Sequence, residues 1–153
     1  MPPQEKMDAA SWEKHGSIDI VEKEVPAMSP GDVLVRVVAS GICGTDLHIC
    51  NGETPHAVCN VTIGHEFAGY VEDIHPETVT ATKIGDLVAV DPNIPCGQCG
   101  FCRSAKYHLC LNLRCIGVTR HGGMARYVAA PATAVHVTEG ISPEVASLAE
   151  PLS

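Results

Sequence analysis

Aromatic side chains are scarce: one Trp, three Tyr and two Phe make up 4% of 153 residues. A core must therefore be built from Val, Ala, Leu and Ile. Positive charge is also short, with ten Lys and Arg against eighteen Asp and Glu, for a net charge of −8. No Lys/Arg cluster stands out, which argues against a nucleic-acid partner. The same imbalance would be repelled by an anionic membrane surface. No apolar run approaches the roughly 20 residues of a membrane span. Met1 to Asp8 is polar and lacks the basic-then-apolar form of a signal peptide. Repeats, low-complexity tracts and linkers are missing too. So is any G-x-G-x-x-G, the turn that seats a dinucleotide.

The length suits one domain, residues 1–153, and the 45% apolar content is that of a globular protein. Eight cysteines without a signal peptide point to a reducing, cytoplasmic setting, where closely set thiols bind metal or do chemistry. Alternating or branched apolar runs predict strands at Asp32–Ala39, Phe67–Ile74, Asp86–Val90, Met124–Ala130 and Ala134–Thr138. Ser29-Pro30-Gly31, Ile84-Gly85-Asp86 and Gly122-Gly123 supply turns between them. The spacing predicts a mainly β chain, an antiparallel and partly open barrel with sites on long loops. One helix start is convincing: Ser142 as N-cap, Pro143 first in the helix and Glu144 in its first turn. Val145, Leu148 and Leu152 would share its apolar face, with Pro151 ending or kinking it.

Cys96, Cys99, Cys102 and Cys110 stand at spacing C-x2-C-x2-C-x7-C, in a loop taken as 93–113. Four thiolates suit a closed tetrahedral zinc site. Gly97 and Gly100 let the backbone turn tightly enough to aim the sulfurs at one point. Such a site stabilises its own loop: structural zinc supplies about 10–16 kcal/mol of apparent folding energy in small peptides. Two other readings stand beside it. One is free or oxidised thiols. The other is an iron–sulfur cluster, although the fourth gap is long and Leu111, not Pro, follows Cys110.

A second constellation joins Cys43, in Gly41-Ile42-Cys43-Gly44-Thr45-Asp46-Leu47-His48, to His65 and Glu66 twenty-two residues on. Taken singly, Cys43 and His65 would read as packed core residues and Glu66 as a surface acid. Together they are three donors that zinc accepts while keeping a fourth position open for a water or an alcohol.

These stretches resemble the zinc-dependent medium-chain alcohol and polyol dehydrogenases. The resemblance rests on Cys43-Gly44-Thr45-Asp46-Leu47-His48, the Gly-His-Glu-Phe-Ala-Gly run at 64–69 and the Gly-Asp-Leu-Val turn at 85–88. The four-cysteine loop and the Ala149-Glu150-Pro151-Leu152 ending add to it. Their order and spacing agree from about Ile18 to Ser153, and the details resemble the sorbitol- and arabinitol-type branch with threonine dehydrogenases near, Asp91-Pro92-Asn93-Ile94-Pro95-Cys96 and Ile116-Gly117-Val118-Thr119 being similar to the arabinitol-type members. The resemblance implies a chaperonin-10 (GroES)-like barrel, the family's catalytic domain, with the Rossmann coenzyme domain absent from these residues. Cys43, His65 and Glu66 would hold a catalytic zinc, and Glu150 would bind it or hydrogen-bond its water. Thr45 and His48 would carry the alcohol proton outward, and Asp46 would orient a ligand. Cys96, Cys99, Cys102 and Cys110 would hold a structural zinc. The implied reaction is oxidation of a secondary alcohol or polyol to a ketone with NAD or NADP.

The family's dinucleotide fold begins just past the Glu-Pro-Leu motif, so these residues alone are expected to lack turnover. The alternative is a non-catalytic zinc-binding module from a truncated or incomplete gene product. An apolar face lacking its partner domain would favour self-association into a homo-oligomer. After His48 come Ile49 and Cys50, where many sorbitol-type members carry a substrate-touching aromatic. The remaining cysteines (Cys50, Cys59 and Cys115) read as packed or surface thiols, Trp12 as packing, and His15, His56, His75, His108, His121 and His136 as solvated or hydrogen-bonded.

Overall fold

A computed structural model describes residues 6–14 and 16–153; His15 and the first five residues lie outside it. The chain opens with a hairpin, β1 (Lys6–Lys14) and β2 (Ser17–Glu24), followed by β3 (Asp32–Ser40) and helix α1 (Gly44–Cys50). Strands β4 (Val61–Thr62), β5 (Phe67–Ile74), β6 (Leu87–Val90) and β7 (Asn93–Ile94) come next. Helix α2 (Gly100–Arg103), β8 (Arg114–Cys115), β9 (Tyr127–Pro131), β10 (Val135–Val137) and helix α3 (Pro143–Ala146) complete the order.

The strands form a five-stranded sheet in the order β10-β6-β5-β3-β9, a three-stranded sheet β2-β1-β4 and the small pair β7-β8. All pairings within them are antiparallel. The two larger sheets are stitched through Met124 and Ala125. Ala10 N donates to Met124 O (2.8 Å), Met124 N to Ile63 O (3.0 Å), and Ala9 bridges Ala125. The result is the expected partly open, mainly β barrel. The run expected as one strand at Met124–Ala130 changes partners midway: its start joins β1, and only Tyr127–Pro131 pairs with β3.

The main core is aliphatic, as the shortage of aromatics required. Val33, Val35, Val71, Val88, Val90, Ile116, Val128 and Val135 surround the single ring of Phe67. A second cluster of Ile49, Val61, Ile63 and Val118 packs α1 against β4 and the loop after β8. β-branched side chains suit this pleated, half-buried surface.

Three expectations need correction. The N-terminal hairpin was not anticipated, because its polar residues hide a strand pair with one covered face. Helices α1 and α2 also went unforeseen. Helix α1 opens with a capping box: the Asp46 carboxylate, three residues into the helix, takes the Cys43 amide at 2.9 Å, and the Cys43 side chain faces the Asp46 amide in return. Finally, α3 begins as expected, with the Ser142 hydroxyl accepting the Val145 amide, but spans four residues only. Val145, Leu148 and Leu152 are exposed and Ala146 is the buried residue, because four residues cannot present a repeating apolar face.

Candidate metal centres

Residues after β3 and before β5 meet at one point. Gly41 N donates to Glu66 O at 2.7 Å, tying the two segments together. One segment turns into α1 and carries Cys43 at its start. The other passes through Gly64 into His65 and Glu66. Gly64 has φ +92°, and a Cβ there would also crowd Met124 and the Ser40 hydroxyl. Glycine is therefore required directly before His65. Cys43, His65 and Glu66 place their ligand atoms within 4.8 Å of one another. His65 and Glu66 are buried, and no ion pair among the described residues involves Glu66. A buried carboxylate is costly without a compensating cation.

Asp46, 1% exposed, is the hub beneath these ligands. Its Oδ2 accepts from the Cys43 amide (2.9 Å) and its Oδ1 from the Gly64 amide (3.3 Å). His65 Nδ1 faces the same Oδ1 at 3.6 Å, beyond hydrogen-bond reach, and is a buried nitrogen with no partner. The Asp46 carboxylate is the largest influence on His65 and, with help from Cys43, raises its pKa from 6.5 to about 9 against the effect of burial. Buried and held beside a thiol and a second acid, this histidine, in its neutral form, belongs to a set whose chemistry suits a divalent cation.

Thr45 Oγ1 lies 3.6 Å from Cys43 Sγ. His48, exposed in the last turn of α1, pairs through Nδ1 with Glu53 Oε2 at 2.6 Å. Glu53 was not singled out in the sequence. It lies past the end of α1 and returns to the helix through a turn, closed by Glu53 N donating to His48 O at 2.8 Å. Gly52 before it was the only available signal. Glu150 stands in the turn after α3 and is not part of the Cys43, His65 and Glu66 group. Its charge is felt instead at Cys115, whose thiol burial first, then Glu150 and Asp91, push up to about 11.

The four cysteines form the second group. All four sulfurs lie within 4.8 Å of one another. Cys99 and Cys102 sulfurs are 3.5 Å apart and those of Cys96 and Cys102 4.0 Å. A zinc tetrahedron with Zn–S of about 2.3 Å has edges of about 3.8 Å, so the spacing fits the ion, whereas a disulfide would need about 2.05 Å. Cys96 N donates to Cys110 Sγ at 3.2 Å, and Gly97, at φ +72°, turns the chain between the first two ligands. Amides of Cys102 and Leu111 hold Cys99 down at about 6, while burial is the main force raising Cys102 to about 12.

Residues 29–140 match the family model for the alcohol dehydrogenase GroES-like domain. The chain is 40% identical over 145 residues to L-threonine 3-dehydrogenase of Caldanaerobacter subterraneus subsp. tengcongensis, covering 92% of this chain and 41% of that one. It is 39% identical over 147 residues to D-altritol 5-dehydrogenase of Agrobacterium fabrum, covering 96% of this chain and 44% of that one. Among solved structures, a protein of Sinorhizobium meliloti 1021 assigned to the zinc-binding dehydrogenases and bound to NADP superposes with TM-score 0.91. It is 39% identical and is matched over 97% of this chain and 43% of its own. The chain thus spans about two fifths of the length of the curated relatives it matches. No helix of the described residues is long and apolar enough to cross a membrane.

Proposed function

The chain belongs to the alcohol dehydrogenase GroES-like domain family, and on that footing we propose that it is the zinc-binding catalytic part of a dehydrogenase that oxidises a secondary alcohol or polyol to a ketone with NAD or NADP. One observation carries the reading: Cys43, His65 and Glu66 converge as three mixed donors, while a separate closed set of four thiols fits a structural ion. Three protein ligands with an open position are the catalytic pattern, four thiolates the structural one.

Cys43, His65 and Glu66 would hold a zinc ion, which would supply Lewis acidity toward an alcohol hydroxyl. The protein side of the chemistry belongs to named groups. Asp46 fixes the Cys43 backbone and faces the His65 ring, which sets the orientation of both donors. Thr45 Oγ1, beside the Cys43 sulfur, is both donor and acceptor and takes up the proton of the substrate hydroxyl. His48, three residues on and on the same face of α1, passes that proton to solvent, with Glu53 orienting its ring. Glu150 lies outside the converged donors and is assigned to their surroundings, where it would bind the ion or hydrogen-bond its water only by approaching them. We assign hydride acceptance to no residue of the 153, since none forms a Gly-rich dinucleotide turn.

The test is metal analysis of the purified chain and of two variants. Two zinc ions per chain are expected, one lost with Cys99→Ser and the other with His65→Ala. Iron with inorganic sulfide, or a full zinc complement in His65→Ala, overturns the proposal.

A further inference from the structure

Away from the metal centres, a cavity of about 760 Å3 opens between the end of β2, the loop and strand at 58–62, the turn at 119–122 and β9. None of Cys43, His65 and Glu66 lines it. Three of the chain's ten Lys and Arg residues do: Lys23, Arg114 and Arg120. Glu24 is the one acid on its wall, so the lining is net positive in a chain of net charge −8. Neither arginine forms an ion pair among the described residues. Two guanidinium groups lining one cavity with no carboxylate paired to either suit an anion that both can reach.

Lys23 is held through its side chain, and the two arginines stand on ordered backbone. Lys23 gives one proton to Asn60 O at 2.6 Å, which leaves two donors, and burial lowers its pKa despite the nearby Glu13. Arg114 lies on β8, paired to β7. Arg120 sits on a tight turn in which Thr119 N and Arg120 N both donate to Cys115 O (2.8 and 3.1 Å) and Gly117 N donates to Arg120 O (2.8 Å). His121 Nδ1 accepts the Thr62 amide at 3.1 Å, which assigns the ring proton to Nε2 and adds a neutral donor at the same wall. Val25, Val61 and Tyr127 supply an apolar side. The volume falls within the roughly 300–1,000 Å3 usual for small-molecule sites.

We propose that this cavity binds a small anion carrying phosphate or carboxylate groups, gripped by Lys23, Arg114 and Arg120 with His121 as an uncharged donor. The inference does not depend on the metal chemistry. Trp12, the only tryptophan, pairs across β1 and β4 with Val61 of the cavity wall and gives a fluorescence reporter.

The zinc-loaded chain is titrated with inorganic phosphate and, separately, with succinate, at low salt, by calorimetry and Trp12 fluorescence. Saturable binding of at least one is expected, and which one binds identifies the charged group that is recognised. Each charge-assisted contact removed should weaken binding by about tenfold or more. That loss is expected in Arg114→Gln and in Lys23→Met, two variants on different elements, so a folding defect in one leaves the other decisive. Binding of neither anion overturns the proposal. So does binding that is unchanged in both variants but lost in His65→Ala, which would place the anion at the metal centre.

Discussion

The two metal centres are built in opposite ways. The four-cysteine group is local: its ligands come from fifteen consecutive residues, 96–110, that carry only a turn of α-helix, a short 3-10 turn at Tyr107–Leu109 and few packed side chains. The Cys43, His65 and Glu66 group is assembled: its ligands come from two segments held together by sheet pairing and by the buried Asp46. In the first, the ion would organise the chain. In the second, sheet pairing and buried contacts would hold the donors in place without it. Phe101, Tyr107, Leu109, Leu111 and Leu113 are exposed around the first centre, whereas His65 and Glu66 lie in the wall of the barrel. Metal and fold should therefore be strongly coupled in the loop and weakly coupled in the barrel.

The sharpest way to break that contrast is Cys102→Ser, at one of the two buried ligands of the loop. Zinc should fall from two ions per chain to one. Amides of the 96–113 loop should lose their protection from hydrogen exchange, while those of β3 and β5 keep theirs. Loss of protection throughout the barrel would show that the loop is not an independent unit. This is the largest expected effect, because four-coordinate thiolate binding leaves the loop little else to hold it.

Asp46→Asn probes the assembled centre. The amide oxygen can still accept from Cys43 or Gly64, but the charge facing His65 is gone. Losing such a partner typically costs about 10–100-fold in metal affinity, and chelator competition should show it at the second zinc only. The pH dependence sharpens the test. Without metal, His65 titrates at about 9 rather than 6.5, so the charged pair with Asp46 stabilises the fold fully below about 6.5 and this contribution is lost as pH rises through about 9. Zinc needs the neutral ring. Its affinity for this centre should thus climb as pH approaches 9, with proton release on binding, and Asp46→Asn should move that climb to lower pH. An unchanged profile would mean that Asp46 does not govern His65.

The same contrast explains what could be read from sequence. The cysteine loop was legible because spacing alone brings its donors together. The strands at Asp32–Ser40 and Phe67–Ile74 were legible because both faces are apolar over several residues. The N-terminal hairpin was not, since its inward residues alternate with charges such as Asp8, Glu22 and Lys23 and its partner lies across a turn. Helix α1 was hidden because its N-terminal acceptor is Asp46, a residue singled out for a different role. Asp46 could be named as an orienting group, but not that it touches both ligand segments at once, which depends on β3–β5 register. The cationic cavity was invisible for a similar reason: Lys23 is far in the chain from Arg114 and Arg120, and no periodicity links them.

Glu150 is the residue on which motif and geometry diverge, and the smallest prediction bears on it. It follows α3, whose start is held by the Ser142 hydroxyl accepting the Val145 amide at 3.4 Å. Removing such a cap usually costs about 0.5–2 kcal/mol, and the long bond and exposed setting place Ser142→Ala at the low end. If the assembled centre is complete with Cys43, His65 and Glu66, this variant should lower the melting temperature slightly and leave the affinity for both zinc ions unchanged. If Glu150 swings onto the ion as a fourth donor, loosening the turn that carries it should weaken the second zinc alone. Equal affinities before and after the change would confine Glu150 to the surroundings of the site. A selective loss would show that the barrel, too, lets its metal do part of the folding.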